Sequence, residues 1–306
     1  MAGKKKHFIF TDCDLDGAGC FLTYMWFTQS KPDHMTVRVN DFEMKFKQWL
    51  AAGNLDKYDR VFIFDLDVSR VGCFDLLDNE KITIIDHHQT HVEHADKYKH
   101  AKTYIVKNTS CTKMVYNMFK KSGQDLDDKK KMLIAMIDDY DSYTLKIPES
   151  YHLNLLFWNY QGDRLDKFLK EFITGYTGFT NDQKKIIIFY LKRLENIKKE
   201  LDIHWARVTV NNVEYKFVSV FANQCINEVA DHIIKNYKAD IGFVVNLNTN
   251  KVSVRRDKNC ELRLGSFCES LFDEGGGHDE SAGGLICDNF LKFVKPFKPM
   301  KIKIGS

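Results

Sequence analysis

The chain is poor in proline, with 4 prolines and 17 glycines in 306 residues. This composition argues against collagen-like or long disordered tracts. Its eight cysteines include no C-x-x-C pair. Scattered cysteines in a chain of this length are typical of reduced thiols, so we expect a cytoplasmic location.

Long apolar runs are also missing. The longest, such as residues 186–191, are far shorter than the roughly 20 residues that a membrane-spanning helix needs. The start, Met-Ala-Gly-Lys-Lys-Lys, leads straight into a strand-like run and does not resemble a signal peptide. The net charge is only +3, which excludes histone-like electrostatics and confines any nucleic-acid binding to a local patch. We therefore expect no membrane partner.

Short apolar runs alternate with amphipathic segments through the first half of the chain. Strands are predicted at residues 7–11, 36–40, 60–65, 81–86 and 103–107, and helices near 18–29, 42–52, 71–78, 111–121 and 128–138. This alternation with short connections predicts an α/β fold with a parallel sheet. Three of the strands end in Asp or run into it, and such sheets bind ligands beyond the carboxyl ends of their strands.

The length fits about two domains of roughly 150 residues each. Residues 182–203 have the charged amphipathic pattern of a long helix, and strand-like runs begin again after 205. We therefore predict a first domain at 1–181, a connecting helix at 182–204 and a smaller α/β domain at 205–306.

The first acidic motif, Asp12–Gly17 (DCDLDG), directly follows the first predicted strand. Three carboxylates this close together repel one another without cations, although an acidic turn or a helix N-cap is a simpler alternative. An EF-hand calcium loop is rejected, because Thr23 stands where its Glu would be and a strand precedes the motif.

Further acidic residues follow the other predicted elements. These are Asp65 and Asp67, then Asp86 with His87 and His88, and finally Asp138, Asp139 and Asp141 at a helix end. Adjacent histidines beside an acid suit a metal site, whereas His91, His94 and His100 are expected at the surface. Carboxylates with imidazoles suit Mn²⁺ or Mg²⁺ better than structural zinc. Their number suffices for the two metals of a phosphoester hydrolase.

A glycine cluster, Gly275–Gly277, is followed by His278 late in the chain. Glycines let backbone N–H groups approach an anion closely, although a flexible loop is the alternative. Arg255, on a predicted strand upstream, is a candidate to bind a phosphate or carboxylate, or to form a salt bridge with nearby acids.

These motifs, in this order, resemble those of the DHH–DHHA1 phosphoesterases, the superfamily of RecJ exonucleases and nanoRNases. The matching segments span nearly the whole chain and are Asp12–Gly17, Asp65, Asp86–His88, Asp139, Ser253–Arg256 and Gly275–His278. The first motif and the residues around Asp139 look most like the NrnB-type oligoribonuclease branch. The resemblance implies a parallel-sheet DHH domain, a smaller DHHA1-like substrate domain and an active site in the interdomain cleft.

The resemblance also implies roles for individual residues. The metal ligands would be Asp12, Asp14, Asp16, Asp65, His87 and Asp139, with Asp65 shared by two Mn²⁺ or Mg²⁺ ions. His88 would contact the scissile phosphate, and Asp86 would orient the histidines. Arg255, Gly276, Gly277 and His278 would hold a substrate phosphate or terminus. Many members have His where Asp12 stands, but RecJ-like members have Asp, and Asp138 is an alternative ligand to Asp139.

The sequence thus predicts a metal-dependent phosphodiesterase, and more narrowly an exonuclease that converts short or single-stranded RNA or DNA into nucleoside monophosphates. A cyclic dinucleotide phosphodiesterase, a phosphatase for 3′-phosphoadenosine 5′-phosphate (pAp) and a non-catalytic nucleotide-binding protein are the alternatives. Aromatic residues at 151, 157, 158 and 160 either stack on bases or, more simply, pack in the core. Either polarity of digestion, and a monomer or a homodimer, are compatible with the motifs.

Overall fold

The computed structural model describes residues 5–277 and 279–300. The chain divides into two compact units, Met1–Ile187 and Ile188–Ser306. The division falls within a long helix, Asn181–Lys199, in the stretch that was predicted to connect two domains. Among the described residues, no helix is both long and apolar enough to cross a membrane.

The first unit is built on a five-stranded sheet with all strands parallel and the order β2-β1-β3-β4-β5. The strands are His7–Thr11 (β1), Asp33–Thr36 (β2), Arg60–Phe64 (β3), Ile82–Asp86 (β4) and Lys102–Ile105 (β5). Thr11 pairs with Phe64, and Phe64 pairs with Ile85. The residues that follow β1 and β3 therefore lie at the same edge as the end of β4. The predicted α/β fold with a parallel sheet is confirmed.

Helices cover this sheet, which explains why its central strands are almost continuously apolar. The helices are Leu15–Thr28 (α1), Val39–Ala51 (α2), Phe74–Leu77 (α3), Gln89–Val92 (α4), Cys111–Lys120 (α5), Asp128–Asp141 (α6), Pro148–Asn159 (α7) and Arg164–Phe172 (α8), with α9 at Asn181–Lys199. Short 3₁₀ turns occupy Leu55–Lys57, Val68–Val71 and Ala95–Lys97. Phe10, Phe42 and Phe46 are among the fully buried side chains of this core.

Two elements differ from the sequence prediction. β2 lies a few residues earlier than expected, and the single helix predicted at 71–78 is a 3₁₀ turn followed by the short α3. Gly72 between them has φ +66°. This left-handed conformation ends the 3₁₀ turn, and glycine adopts it without steric cost.

The second unit contains a seven-stranded sheet with the order β10-β11-β9-β8-β7-β6-β12. Its strands are His204–Val210 (β6), Val213–Phe221 (β7), Ile241–Asn246 (β8), Lys251–Arg256 (β9), Gly276–Gly277 (β10), Ser281–Leu285 (β11) and Lys298–Pro299 (β12). Its helices are Ile226–Tyr237 (α10), Leu264–Leu271 (α11) and Asp288–Val294 (α12). β7 and β8 are parallel, whereas β8 and β9 are antiparallel, so the sheet is mixed.

Helix α1 packs so closely on α5 and α6 that its middle turn has no room for a side chain. A Cβ at Gly19 would lie 2.3 Å from Thr112 Oγ1 and 2.6 Å from Ile137 Cδ1. We predict that Gly19→Val lowers the free energy of unfolding by about 1–3 kcal/mol through overpacking. Urea unfolding measures this. The matched change Ala51→Val, at an exposed position of α2, should cost no more than about 0.6 kcal/mol. Equal effects of the two changes would contradict the packing argument.

Candidate metal centre

The loop between β1 and α1 supplies two carboxylates through helix capping. Asp14 is the N-cap of α1, and its Oδ1 accepts the N–H of Gly17 at 2.9 Å. Asp16 is buried, and it accepts the backbone N–H groups of Cys111 at 2.7 Å and Thr112 at 2.9 Å. Asp16 thus joins the start of α1 to the start of α5, where unpaired N–H groups favour an anion.

Two further acids lie on either side of His87. Asp65, just after β3, is buried with φ +56°, a left-handed conformation that Asp tolerates better than most residues. Its Oδ1 lies 3.3 Å from His87 Nε2, and Asp141 Oδ2 lies 3.4 Å from His87 Nδ1. Within the described residues, Asp141 Oδ2 is buried and accepts no hydrogen bond. This oxygen of Asp141 therefore has an unused capacity to bind a cation.

The electrostatics of this cluster favour a bound cation. Burial raises the pKa of Asp65 well above its usual range, and the charges of Asp16, Asp14 and Asp141 raise it further. Burial, together with the charges of Asp16 and Asp14, also raises the pKa of Asp141 well above its usual range. The pKa of Asp14 is raised by burial and by Asp16. Carboxylates in these positions are stable as anions only when positive charge is supplied.

The donor set fits a hard divalent ion. Ligand atoms of Asp16, Asp65, His87 and Cys111 lie within 4.8 Å of one another, and a second such group joins Asp65 to Asp86 and His88. Carboxylates with imidazole suit Mn²⁺ or Mg²⁺. Sequence reasoning overlooked Cys111, because it lies 95 residues from the acidic motif and has no distinctive neighbours. Its buried thiol contacts the carbonyl of Ile85 at 3.5 Å.

Asp86, at the end of β4, is held by two histidines. Its Oδ1 lies 2.7 Å from His88 Nδ1, and its Oδ2 lies 2.6 Å from His91 Nδ1. His91 is fully buried, and its Nε2 contacts the hydroxyl of Tyr98 at 2.9 Å. The prediction that His91 is a surface residue was wrong, because α4 turns its imidazole inward onto Asp86.

The pKa of Asp86 is shifted in the opposite direction to those of Asp14, Asp65 and Asp141. Burial alone would raise the pKa of Asp86, but the hydrogen bonds and charges of His88 and His91 hold it well below its usual range. Burial would lower the pKa of His88, yet Asp86, with the charges of Asp67 and Asp14, raises it to about 9. Asp86 and His88 therefore form an ion pair at neutral pH.

The acids at the end of α6 have separate roles. Asp139 accepts from Thr144 Oγ1 at 2.5 Å, Ser150 Oγ at 2.6 Å, and the N–H groups of Lys146 and Ile147 at 2.9 and 3.0 Å. Burial would raise the pKa of Asp139, but these bonds, led by Ser150 and Thr144, lower it to about 2. The structure therefore brings Asp141, rather than Asp139, to His87.

The alternative ligand, Asp138, is also engaged away from the cluster. It accepts the N–H of Ser110 at 2.9 Å and contacts Lys113 Nζ at 2.6 Å. Asp12 lies at the rim, where it accepts the N–H of Cys13 at 2.5 Å. Burial and the charge of Asp14 raise the pKa of Asp12 to about 6.

The residues predicted to hold substrate lie in the second unit. Arg255, in β9, donates to Asn227 Oδ1 at 2.8 Å. Gly276 and Gly277 form β10, and a Cβ at Gly277 would lie 2.6 Å from Ala282 Cα. This glycine thus has a packing role against β11. His278 lies outside the described residues.

The sequence matches no protein-family model and none of the curated proteins. Solved structures do match. A pGpG-specific phosphodiesterase, PggH from Vibrio cholerae, aligns with a TM-score of 0.58 at 13% identity, over 95% of this chain and 96% of that one. The exonuclease RecJ bound to manganese aligns with a TM-score of 0.55 at 14% identity, over 95% and 88% of the two chains.

A DHH domain from a member of a family of ribosomal proteins aligns with a TM-score of 0.56 at 13% identity, over 91% of this chain and 82% of that one. The chain has the DHH–DHHA1 fold. The fold that the motifs predicted is therefore confirmed. Identities of 13–14% establish no activity, and the NrnB-type branch remains a prediction.

The separate roles of the two acids predict different effects of their substitution on stability. In EDTA, Asp139→Asn should lower the free energy of unfolding by about 1–3 kcal/mol, because its amide N–H₂ would face N–H donors. Asp141→Asn should leave it unchanged or raise it by up to about 1 kcal/mol, because it removes a negative charge from a helix C-terminus and from the cluster. Urea unfolding of the metal-free variants measures both. A larger loss for Asp141→Asn would contradict this assignment.

Proposed function

We propose that the chain is a metal-dependent phosphodiesterase that hydrolyses short, single-stranded oligonucleotides to nucleoside monophosphates. The main support for the proposal is that Asp14, Asp16, Asp141 and His87 gather around Asp65 at one edge of the parallel sheet. Clustered acids whose pKa values are raised, as those of Asp14, Asp65 and Asp141 are, mark a candidate functional site. The fold it shares with a phosphodiesterase and an exonuclease supports the same reaction class.

These five residues would hold two divalent ions, with Asp65 shared because the charges of the other three acids act on it. Bound Mn²⁺ or Mg²⁺ supplies charge stabilisation at the phosphate and lowers the pKa of an attacking water. Asp12 would contribute from the rim of the site. Asp141 takes the place that the sequence analysis gave to Asp139.

His88 would bind the scissile phosphate through an N–H group. Asp86 keeps its imidazole protonated and oriented, and His91 with Tyr98 fixes the second oxygen of Asp86. The charge that faces the phosphate is thus positioned before substrate binds, which is how electrostatic stabilisation becomes effective.

Substrate contacts of Arg255, Gly276, Gly277 and His278 remain part of the proposal. A dinucleotide substrate is the second candidate, favoured by the structural likeness to a pGpG-specific phosphodiesterase. Cyclic dinucleotides and pAp are further candidates for the same site.

We predict that a 5′-labelled RNA pentamer is shortened to mononucleotides in Mn²⁺ and stays intact in EDTA. Asp65→Asn and Asp141→Asn should each lower the rate by about 10²- to 10³-fold, because each removes charge from the reacting centre. Asp139→Asn should keep most of the rate at temperatures where circular dichroism shows it folded. Parallel reactions with pGpG, a cyclic dinucleotide and pAp give the substrate preference.

Each outcome is informative. Loss of activity in Asp139→Asn with an unaffected Asp141→Asn would reverse the two assignments. No cleavage of the pentamer, with turnover of pGpG, cyclic dinucleotide or pAp, would overturn the oligonucleotide proposal. Rates unchanged by Asp65→Asn would indicate a non-catalytic nucleotide-binding protein with a contaminating nuclease.

Metal binding itself is predicted to stabilise the protein. Saturating Mn²⁺ should raise the melting temperature of the wild type by roughly 5 °C, because the ion binds the folded cluster and not the unfolded chain. Differential scanning fluorimetry measures the shift. Asp65→Asn should lose the shift and Asp139→Asn should keep it. A full shift in Asp65→Asn would contradict the metal centre.

A further inference from the structure

A narrow cleft opens beside the metal centre within the first unit. One wall is formed by the loop that carries Asp12 and Asp14, and the other by Gly162 and the first turn of α8, including Arg164. It offers about 190 Å³, less than the roughly 300 Å³ at which small-molecule pockets begin. The cleft therefore suits one group of a substrate, such as a phosphate, and not a whole nucleotide.

Arg164 is the cationic residue of this cleft. Its guanidinium carbon lies 4.5 Å from the centre of the Trp158 ring, and within residues 5–277 and 279–300 no carboxylate lies within ion-pair distance of it. A guanidinium at this distance is attracted to the ring, and its N–H groups are suited to two-point binding of a phosphate.

The exposure of the aromatic residues at the end of α7 supports a role for Trp158 in orienting Arg164. Phe157 and Tyr160 are buried, as core packing predicts, but Trp158 is 45% exposed. A large exposed indole is unusual for core packing and is explained when its ring orients Arg164. Lys167, on α8 with Arg164, has its Nζ 5.0 Å from the centre of the Tyr160 ring. It therefore provides a matched cation on a ring that is buried.

We propose that Arg164, oriented by Trp158, binds a second phosphate of the substrate, next to the phosphate that is hydrolysed. This inference rests on the proposed function and narrows its substrate class to short nucleotides that carry a terminal phosphate beside the scissile phosphodiester. Asp163, the neighbour of Arg164, does not compete for it, because its carboxylate caps α8 by accepting the N–H of Asp166 at 2.9 Å.

The test compares steady-state kinetics on pApA, ApAp and ApA, with bis(p-nitrophenyl) phosphate as a substrate that has no second phosphate. The wild type in Mn²⁺ should prefer one of the two phosphorylated dinucleotides. Arg164→Gln should raise the KM for that substrate roughly 10- to 100-fold, with little change in kcat. Its turnover of ApA and of bis(p-nitrophenyl) phosphate should equal that of the wild type.

Two further variants separate positioning from folding. Trp158→Leu should raise the same KM and spare the other substrates, whereas Trp158→Phe, which keeps a ring under the guanidinium, should restore most of the affinity. Lys167→Gln removes one positive charge from α8, the helix that carries Arg164, and should leave KM and kcat for all four substrates unchanged. An equal effect of Lys167→Gln would mean that net charge alone is responsible and would overturn the subsite.

Failure of this inference differs from failure of the proposed function. If the wild type hydrolyses these substrates and Arg164→Gln retains the same preference, or the wild type shows no preference, the subsite is overturned and the phosphodiesterase stands. If none of them is hydrolysed, the phosphodiesterase falls. Each protein is then titrated with pApA in the presence of Mn²⁺ in a calorimeter. Equal affinities of the wild type and Arg164→Gln for pApA would overturn the subsite.

Discussion

The gathering of acids in a partly desolvated cluster is the constraint on which this structure depends. Burial, together with the charges of the neighbouring acids, raises the pKa values of Asp14, Asp65 and Asp141. A fold that depended on stability alone would not gather these groups where water is largely excluded. The parallel sheet nevertheless does so, because the ends of β1, β3 and β4 share one edge. Gathering these acids destabilises the metal-free protein, and a cation-binding role for the cluster explains why they are gathered there.

Hydrogen-bond donors from neighbouring elements stabilise some of these buried acids. Asp16 remains buried because the first N–H groups of α5 donate to both of its oxygens. Asp86 remains charged because His88 and His91 each contact one of its oxygens. His87 lies between Asp65 and Asp141, 3.3 Å from the first and 3.4 Å from the second. Burial raises the pKa values of both acids well above their usual range, so a bound cation would stabilise them strongly.

The sequence predicted the sheet and most of the cluster, because acids that follow parallel strands must meet at one edge. Asp14, Asp16, Asp65 and His87 could be identified in this way. The choice between Asp139 and Asp141 could not, because it depends on which side of α6 meets the loop at 144–150. Residues two apart on a helix point to nearly opposite sides, so only one of these two acids can reach the sheet edge.

Residue type alone therefore does not distinguish a metal ligand from a structural acid. Asp139 and Asp141 are neighbours in one motif, yet the pKa of Asp139 is lowered to about 2 and that of Asp141 is raised. The difference lies in the number of donors, because Asp139 accepts four hydrogen bonds while Asp141 Oδ2, within the described part of the chain, accepts none. A carboxylate that already accepts four hydrogen bonds has no lone pair left for a cation, whereas Asp16, with one N–H donor on each oxygen, still has capacity on both. Counting donors around each acid thus identifies the ligands where the motif by itself does not.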